Sequence, residues 1–147
     1  MFGEYTGEVT VSLPSARFVY DMKGRKDFPL ASKFRTALRA NRAAWFALLP
    51  GRSLRPQVEL PSAVLQRGST VSAAVRIPNA PGKHAVKIRA MTPAGKHADW
   101  LDQTLIVGSV PAPLTLPLAY NDPGGKWQMR ATDLFGNQAA KAKLRVW

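Results

Sequence analysis

Alternation of apolar and polar residues, with a period of two, dominates this chain of 147 residues. Val9–Leu13 shows it near the start, and Val86–Ala90 shows it again in the second half. Successive side chains of a β-strand point to opposite faces of the sheet, so this period predicts strands with one covered face. Most runs are closely followed by turn-forming residues, drawn from 11 glycines and 12 prolines. The pattern therefore predicts an all-β protein.

The larger, C-terminal part of the chain contains seven such runs. Seven short strands in about 95 residues are typical of an immunoglobulin-like or fibronectin-III-like sandwich. The chain has no cysteine, so the disulfide signature of antibody domains is missing and the prediction rests on spacing. Proline cannot donate to a ladder, and Pro117 therefore indicates an edge strand. The runs are Val58–Leu60, Ser69–Ile77, Ala85–Met91, Trp100–Val107, Leu114–Ala119, Trp127–Thr132 and Ala139–Val146.

A short antiparallel β segment is predicted to precede the sandwich. Its runs are Val9–Leu13, Phe18–Tyr20, Phe34–Leu38 and Ala44–Leu49. The last run is apolar throughout, as expected of a strand covered on both faces, although residues 37–49 also fit a short helix. Fifty residues bury too little surface to be stable alone. We therefore expect the edge strands to pair with the sandwich, a second copy of the chain or another protein.

These runs divide the chain into three parts. Residues 1–50 form the β segment, residues 51–57 are the linker, and residues 58–147 form the sandwich. No apolar run approaches the roughly 20 residues that a membrane-spanning helix needs. Met1–Tyr5 shows neither the basic nor the apolar region of an export signal.

A net charge of +12, from 21 Lys and Arg against 9 Asp and Glu, permits attraction to polyanions. Basic residues alternate with apolar ones in three of the predicted strands, and Trp147 ends the last of them. If these strands lie in one sheet, their outer faces form a basic strip with an indole at its end. The strip is either a surface that binds an anionic polymer or an ordinary solvated face. Its charges are Lys87, Arg89, Arg130, Lys141, Lys143 and Arg145.

The four tryptophans divide by their neighbours. Trp45 and Trp127 lie among apolar residues and are expected in the core. Trp100 begins a strand beside acidic residues, so it is either in the core or partly buried, or a flat platform for a sugar ring. Trp147 is terminal, and it either docks on the domain or frays.

No constellation of residues indicates an enzyme. Without cysteine there are no thiolate nucleophiles or thiolate metal sites. The two histidines, His84 and His97, are expected to be solvated turn residues, although Asp99 or Asp102 could join them around a metal. The carboxylate pairs lie in or beside turns, where aspartate commonly accepts hydrogen bonds from its own backbone. We therefore expect no catalytic residue, metal ion or cofactor. The pairs are Asp21/Asp27, Asp99/Asp102 and Asp122/Asp133.

Five segments resemble the C-terminal β-sandwich and immunoglobulin-like module of large bacterial glycoside hydrolases, the β-galactosidase-like proteins. They are Phe18–Asp21, Gly24–Arg25, Ala44–Pro50, Asn121–Trp127 and Ala131–Gly136. The resemblance implies a non-catalytic accessory module that positions or weakly binds a glycan, in an extracellular or periplasmic setting. None of that family's catalytic residues has a matching position here.

Two other functions remain open from the sequence. The charge alone is compatible with a β protein that binds nucleic acid or another polyanion. The predicted edges of residues 1–50 are compatible with a structural or assembly protein that adds strands to a second copy or another protein.

Overall fold

The computed structural model describes residues 6–40, 42–52, 54–136 and 138–147. Met1–Tyr5, where the sequence shows no export signal, and Ser53 of the predicted linker lie outside the described residues. Eleven strands in three sheets make up the regular structure of the described residues, so the all-β prediction is confirmed. No helix in the described ranges is long and apolar enough to cross a membrane. The chain divides into two compact units, Met1–Arg52 and Ser53–Trp147.

The first unit is a three-stranded antiparallel sheet in the order β2-β1-β3. Its strands are β1 (Thr6–Asp21), β2 (Lys26–Arg39) and β3 (Phe46–Leu49). Two runs predicted as separate strands belong to the single strand β1, because register shifts between Ser12 and Val19 carry the pairing past Pro14 without a turn.

The hairpin turn between β1 and β2 forms where the sequence predicts one. Asp21 Oδ1 accepts hydrogen bonds from the backbone N–H groups of Lys23 and Gly24, at 2.9 and 2.8 Å. Arg25 has a φ of 51°, in the left-handed region that closes tight turns. This local bonding is the common use of aspartate in a turn, as expected for Asp21.

The prediction that the run before Pro50 is covered on both faces is wrong. β3 is a four-residue edge strand that pairs only with β1, and Leu48 remains 49% exposed. Trp45 precedes the strand and is 67% exposed, so its predicted core position is also wrong. Three phenylalanines of the first unit, Phe28, Phe34 and Phe46, pack against one another instead, with ring centroids 5.1 to 6.3 Å apart.

The second unit is a two-sheet sandwich that confirms all seven predicted strands. One sheet has the order β5-β11-β10-β7-β8 and the other β4-β6-β9. The unpredicted β5 has two residues and pairs parallel to β11. The strands are β4 (Gln57–Glu59), β5 (Val64–Leu65), β6 (Thr70–Arg76), β7 (His84–Met91), β8 (His97–Val107), β9 (Ala112–Pro117), β10 (Gly125–Asp133) and β11 (Ala139–Val146).

Alternate residues of both sheets form the core of this sandwich. Trp127 is buried, as predicted, and its Nε1–H donates a hydrogen bond to the Pro123 carbonyl at 2.8 Å. Pro117 ends β9, which is an edge strand as its proline indicates. The immunoglobulin-like arrangement follows from this alternation. Other core residues are Val71, Val75, Ile88, Leu114, Leu116, Met129 and Leu144.

Two isoleucines on neighbouring strands test the assignment of inner and outer faces. Ile88 is 1% exposed and Ile106 is 62% exposed. Ile88→Ala should lower the free energy of unfolding by about 2–5 kcal/mol, because it leaves a cavity between the sheets. Ile106→Ala should change it by less than about 0.5 kcal/mol. Urea denaturation measures both, and equal losses would contradict this arrangement of the faces.

Candidate functional site

The five-stranded sheet presents a strongly basic outer surface. Val86, Ile88 and Ala90 of β7 point into the core, so Lys87 and Arg89 between them point outward. The same alternation turns one side of β10 and β11 outward, and β10 lies between β11 and β7. We name the resulting surface the basic face. It consists of Lys87, Arg89, Lys126, Arg130, Lys141, Lys143 and Arg145.

The strand register places several of these cations directly opposite one another. Arg130 is paired with Arg89 on one side and Lys141 on the other, and Lys126 is paired with Arg145. Like charges in directly opposite positions destabilise a sheet. The outward positions of β7, β10 and β11 contain no carboxylate that could offset this repulsion.

The predicted strip thus lies on three adjacent strands of one sheet, with one further member. Lys126 was missed by the sequence reasoning, although the signal was available. It stands two residues before Gln128 and four before Arg130, in the same alternation.

Asp102, on the neighbouring strand β8, is the counterion of one side of the basic face. Its Oδ2 lies 3.4 Å from Lys87 Nζ and 3.8 Å from Arg89 Nε. Its Oδ1 forms a 2.7 Å hydrogen bond with His97 Nε2. The other five cations make no ion pair with any residue that the structure describes.

The pKa of the Asp102 carboxyl reflects these neighbours. Burial acts to raise it, but the hydrogen bonds from His97 and Lys87, together with their positive charges, hold the pKa below its usual value of 3.8. Asp102 is therefore ionised at neutral pH and acts as a fixed negative charge beside Lys87 and Arg89.

Trp100 lies in a bulge of β8, the edge strand of the same sheet. The pairing with β7 shifts between Ile88 and Ala90, so that residues 99–102 all stand opposite one residue of β7. Trp100 is 60% exposed there. The structure thus leaves its indole open at β8, the edge of the sheet opposite to the β11 side. The alternative in which Trp100 is buried in the core or partly buried does not apply.

Trp147 is docked by its backbone and exposed by its side chain. Its N–H donates to the Leu65 carbonyl at 3.0 Å, and its own carbonyl accepts from the Arg67 N–H at 3.1 Å. The Arg145 guanidinium lies 3.9 Å from the centre of its ring, which remains 59% exposed. Trp147 therefore follows the last cation of β11, and its backbone hydrogen bonds fix the position of its exposed ring.

The two histidines have different environments, and the prediction of two solvated turn residues is wrong for His84. His84 is buried, and its Nδ1 lies 3.1 Å from Oδ2 of the fully buried Asp133. Asp133 Oδ1 also accepts from the Phe135 N–H at 3.1 Å. The register, which closes β7 against β10, brings these two distant residues together. This pair lies inside the sandwich and does not belong to the basic face.

The remaining carboxylates show no catalytic or metal-binding arrangement. Asp122 is buried, and its Oδ2 accepts a hydrogen bond from the Ala119 N–H at 2.8 Å within its own turn. Within the described ranges, no three His, Asp or Glu side chains cluster as metal ligands would.

Asp102→Asn tests the charge balance at the edge of the basic face. A carboxyl with a depressed pKa in the folded state contributes stability above its unfolded pKa and loses it as the pH falls through the folded one. The substitution should lower the free energy of unfolding near pH 7 by up to about 1 kcal/mol, and the difference from wild type should close as the pH falls through the lowered pKa of Asp102. Denaturant melts across this range measure it.

Asp99→Asn is the matched control for this substitution. Asp99 is exposed and forms no ion pair with the part of the chain that the structure describes. Its substitution should leave the pH profile of stability unchanged, and a profile that shifts as much as that of Asp102→Asn would contradict the assignment.

Comparisons with known proteins identify the fold. No protein-family model matches the sequence, and no curated protein matches it. The native conformation of Escherichia coli α2-macroglobulin, solved by cryo-electron microscopy, is similar over 97% of this chain with a TM-score of 0.56 and 18% identity. The Yersinia pseudotuberculosis adhesin InvE aligns over 99% of this chain and 49% of its own, with a TM-score of 0.46 and 6% identity.

The matched region is 10% of the macroglobulin chain, so the fold occurs there as one part of a much larger protein. The macroglobulin is not a glycoside hydrolase, and the resemblance to that group receives no support from it. At this identity the likeness establishes the architecture alone. The chain, whose second unit is an immunoglobulin-like sandwich, is thus similar in fold to part of a bacterial macroglobulin.

Proposed function

We propose that this chain is a non-catalytic module that binds an acidic polysaccharide on its basic face. The observation that carries the proposal is the set of seven outward-facing cations on three adjacent strands, with no carboxylate at the outward positions between them. The proposal rests on this chemistry and not on the resemblance to glycoside hydrolase modules.

Repulsion within the basic face favours a ligand over a merely solvated surface. A surface that only maintains solubility intersperses the two signs of charge. Here Arg89, Arg130 and Lys141 stand side by side on neighbouring strands, roughly 5 Å apart from strand to strand. Carboxylate or sulfate groups of a bound polymer would relieve this repulsion. The free energy that the repulsion costs the unbound chain would then contribute to the affinity of the complex.

The proportion of aromatic rings to cations favours a polysaccharide over a nucleic acid. Sites for single-stranded nucleic acid combine basic grooves with aromatic rings on which successive bases stack. The line Lys141, Lys143 and Arg145 steps roughly 7 Å from charge to charge and ends at one indole, Trp147. Arg145 covers one face of that indole, so the line offers several anion contacts and a single ring contact.

Charge reversal at the centre of this line tests the proposal. Lys143→Glu should weaken binding to polygalacturonate about tenfold, roughly the effect of two exposed ion pairs. The affinity should also fall steeply as salt rises. Isothermal titration calorimetry at two salt concentrations measures both effects. Lys33→Glu on β2 changes the net charge equally at a residue that is not part of the basic face and should leave the affinity nearly unchanged.

Tryptophan variants and a competing polymer complete the test. Trp147→Ala should weaken polygalacturonate binding, whereas Trp45→Ala, which removes an equally exposed indole from the first unit, should not. Tighter binding of single-stranded DNA than of polygalacturonate at the same salt would replace the polysaccharide with a nucleic acid. Absence of binding to either polymer would overturn the proposed function.

A second candidate function, assembly by strand addition, is favoured by the unequal edges of the first unit. The outer strand β2 carries Pro29, Lys33 and Arg35, which are features that protect sheet edges. Residues 7–13 of β1 contain no proline, lysine or arginine. On that side, among the described residues, β1 pairs with β3 only over Phe18–Asp21.

We infer that a second copy of the chain would occupy this β1 edge. Antiparallel pairing centred on Thr10 sets Glu8 opposite Ser12, so no like charges meet. It also sets Val9 opposite Val11, so the half-buried sides of both copies join in one apolar surface. Such a contact is self-complementary, as a two-fold dimer requires.

Thr10→Lys tests this dimer, because it places two lysines directly opposite each other at the two-fold axis. Sedimentation velocity at tens of micromolar should show a dimer for the wild type and a monomer for this variant. Ala37→Lys introduces the same charge on the exposed side of β2 and should leave the dimer intact. A monomeric wild type would exclude self-association through this edge.

A further inference from the structure

Asp102 reaches the basic face only because β8 is irregular. Ala98 and Leu101 both point into the core, with exposures of 0% and 2%, although they are three positions apart in the sequence and a regular strand would require an even spacing. Four residues of the bulge stand opposite one residue of β7, and these three extra residues, an odd number, rephase the strand. His97, just before Ala98, and Asp102, the last residue of the bulge, are thereby turned to the same side.

The bulge also shortens the distance between these two residues. In a regular strand, residues five apart lie on opposite faces and roughly 17 Å apart. Here His97 Nε2 and Asp102 Oδ1 are 2.7 Å apart. The pair stands beside Lys87 and Arg89 of β7, and Arg130 of β10 lies directly beyond Arg89. Asp99, the remaining ionisable group within the bulge, is exposed.

We propose that Asp102 is a built-in competitor of the anionic ligand and that protonation of His97 offsets its charge. With His97 neutral, the Asp102 carboxylate offsets the charges of Lys87 and Arg89, which confines the ligand to β10 and β11. With His97 protonated, the imidazolium at Oδ1 offsets the carboxylate charge, so more of the positive charge of Lys87 and Arg89 is available to the ligand. This inference rests on the proposed function and adds its regulation by pH.

The direction of the effect follows from the charges involved. Imidazole gains its proton between about pH 8 and pH 5. Over this range the ligand-binding charge on β7 increases, so the affinity for an acidic polymer should rise as the pH falls. Carboxylate polymers remain ionised in this range, so the change originates in the protein.

Contacts and neighbouring positive charges both keep the Asp102 carboxylate ionised. Asp102 is held by His97, Lys87 and Arg89 from two strands, and its side chain is only 20% exposed. Its depressed pKa means that Asp102 itself does not titrate between pH 5 and pH 8.

The test measures polygalacturonate affinity by calorimetry at pH 5.5 and pH 8 for three proteins. The wild type should bind more tightly at pH 5.5. Asp102→Asn should bind about two- to fivefold more tightly than the wild type at pH 8, the effect expected of an exposed ion pair, and should show a smaller change with pH. His97→Gln retains hydrogen-bonding capacity without a titrating charge and should remove most of the pH dependence.

The outcomes separate this inference from the proposed function. No binding at either pH overturns the proposed function and this inference with it. Binding by all three proteins with the same pH dependence overturns the role of His97 and Asp102 alone, and leaves the basic face as the ligand site. Weaker binding by Asp102→Asn at pH 8 would also overturn it, because a competing carboxylate cannot assist the ligand.

Discussion

Burial of alternate side chains between two sheets is the interaction on which the second unit depends. Strands β7 and β10 commit every second residue to this core, including Ile88, Trp127 and Met129. Since the side-chain period of a strand is two, a shift of one residue would exchange core and surface along the whole strand. The positions of the cations on the outer surface are therefore fixed by the packing of the inner one. The basic face cannot rearrange without cost to the core.

This constraint explains how the sheet can hold like charges side by side. Burial of a large apolar side chain contributes about 1.5–3 kcal/mol, whereas an unfavourable cross-strand pair at the surface costs well under about 1 kcal/mol. The core can thus maintain Arg89, Arg130 and Lys141 in adjacent positions with their repulsion unrelieved. Because the core holds these charges in place before any ligand arrives, the proposed binding of an anionic polymer would require little ordering of the protein.

Irregular strands provide the exceptions to the period of two. The bulge in β8 turns Asp102 away from the core and gives one edge of the basic face a counterion, and it leaves the indole of Trp100 exposed. In β1, the register shifts near Pro14 allow one long strand where two were predicted. The first unit has a smaller buried core, centred on Val19, Tyr20 and Phe34, so its strand edges have more influence on its behaviour.

The sequence by itself determined the all-β class, the seven strands of the sandwich, the burial of Trp127 and the outward direction of the basic residues. These features follow from alternation, which is local along the chain. Tertiary structure alone decided which cations stand opposite one another and that Trp45 is exposed. It also brought into contact His84 and Asp133, which are 49 residues apart in the sequence. Such features depend on strand order, register and bulges. These are set by packing between distant segments, and no local period encodes them.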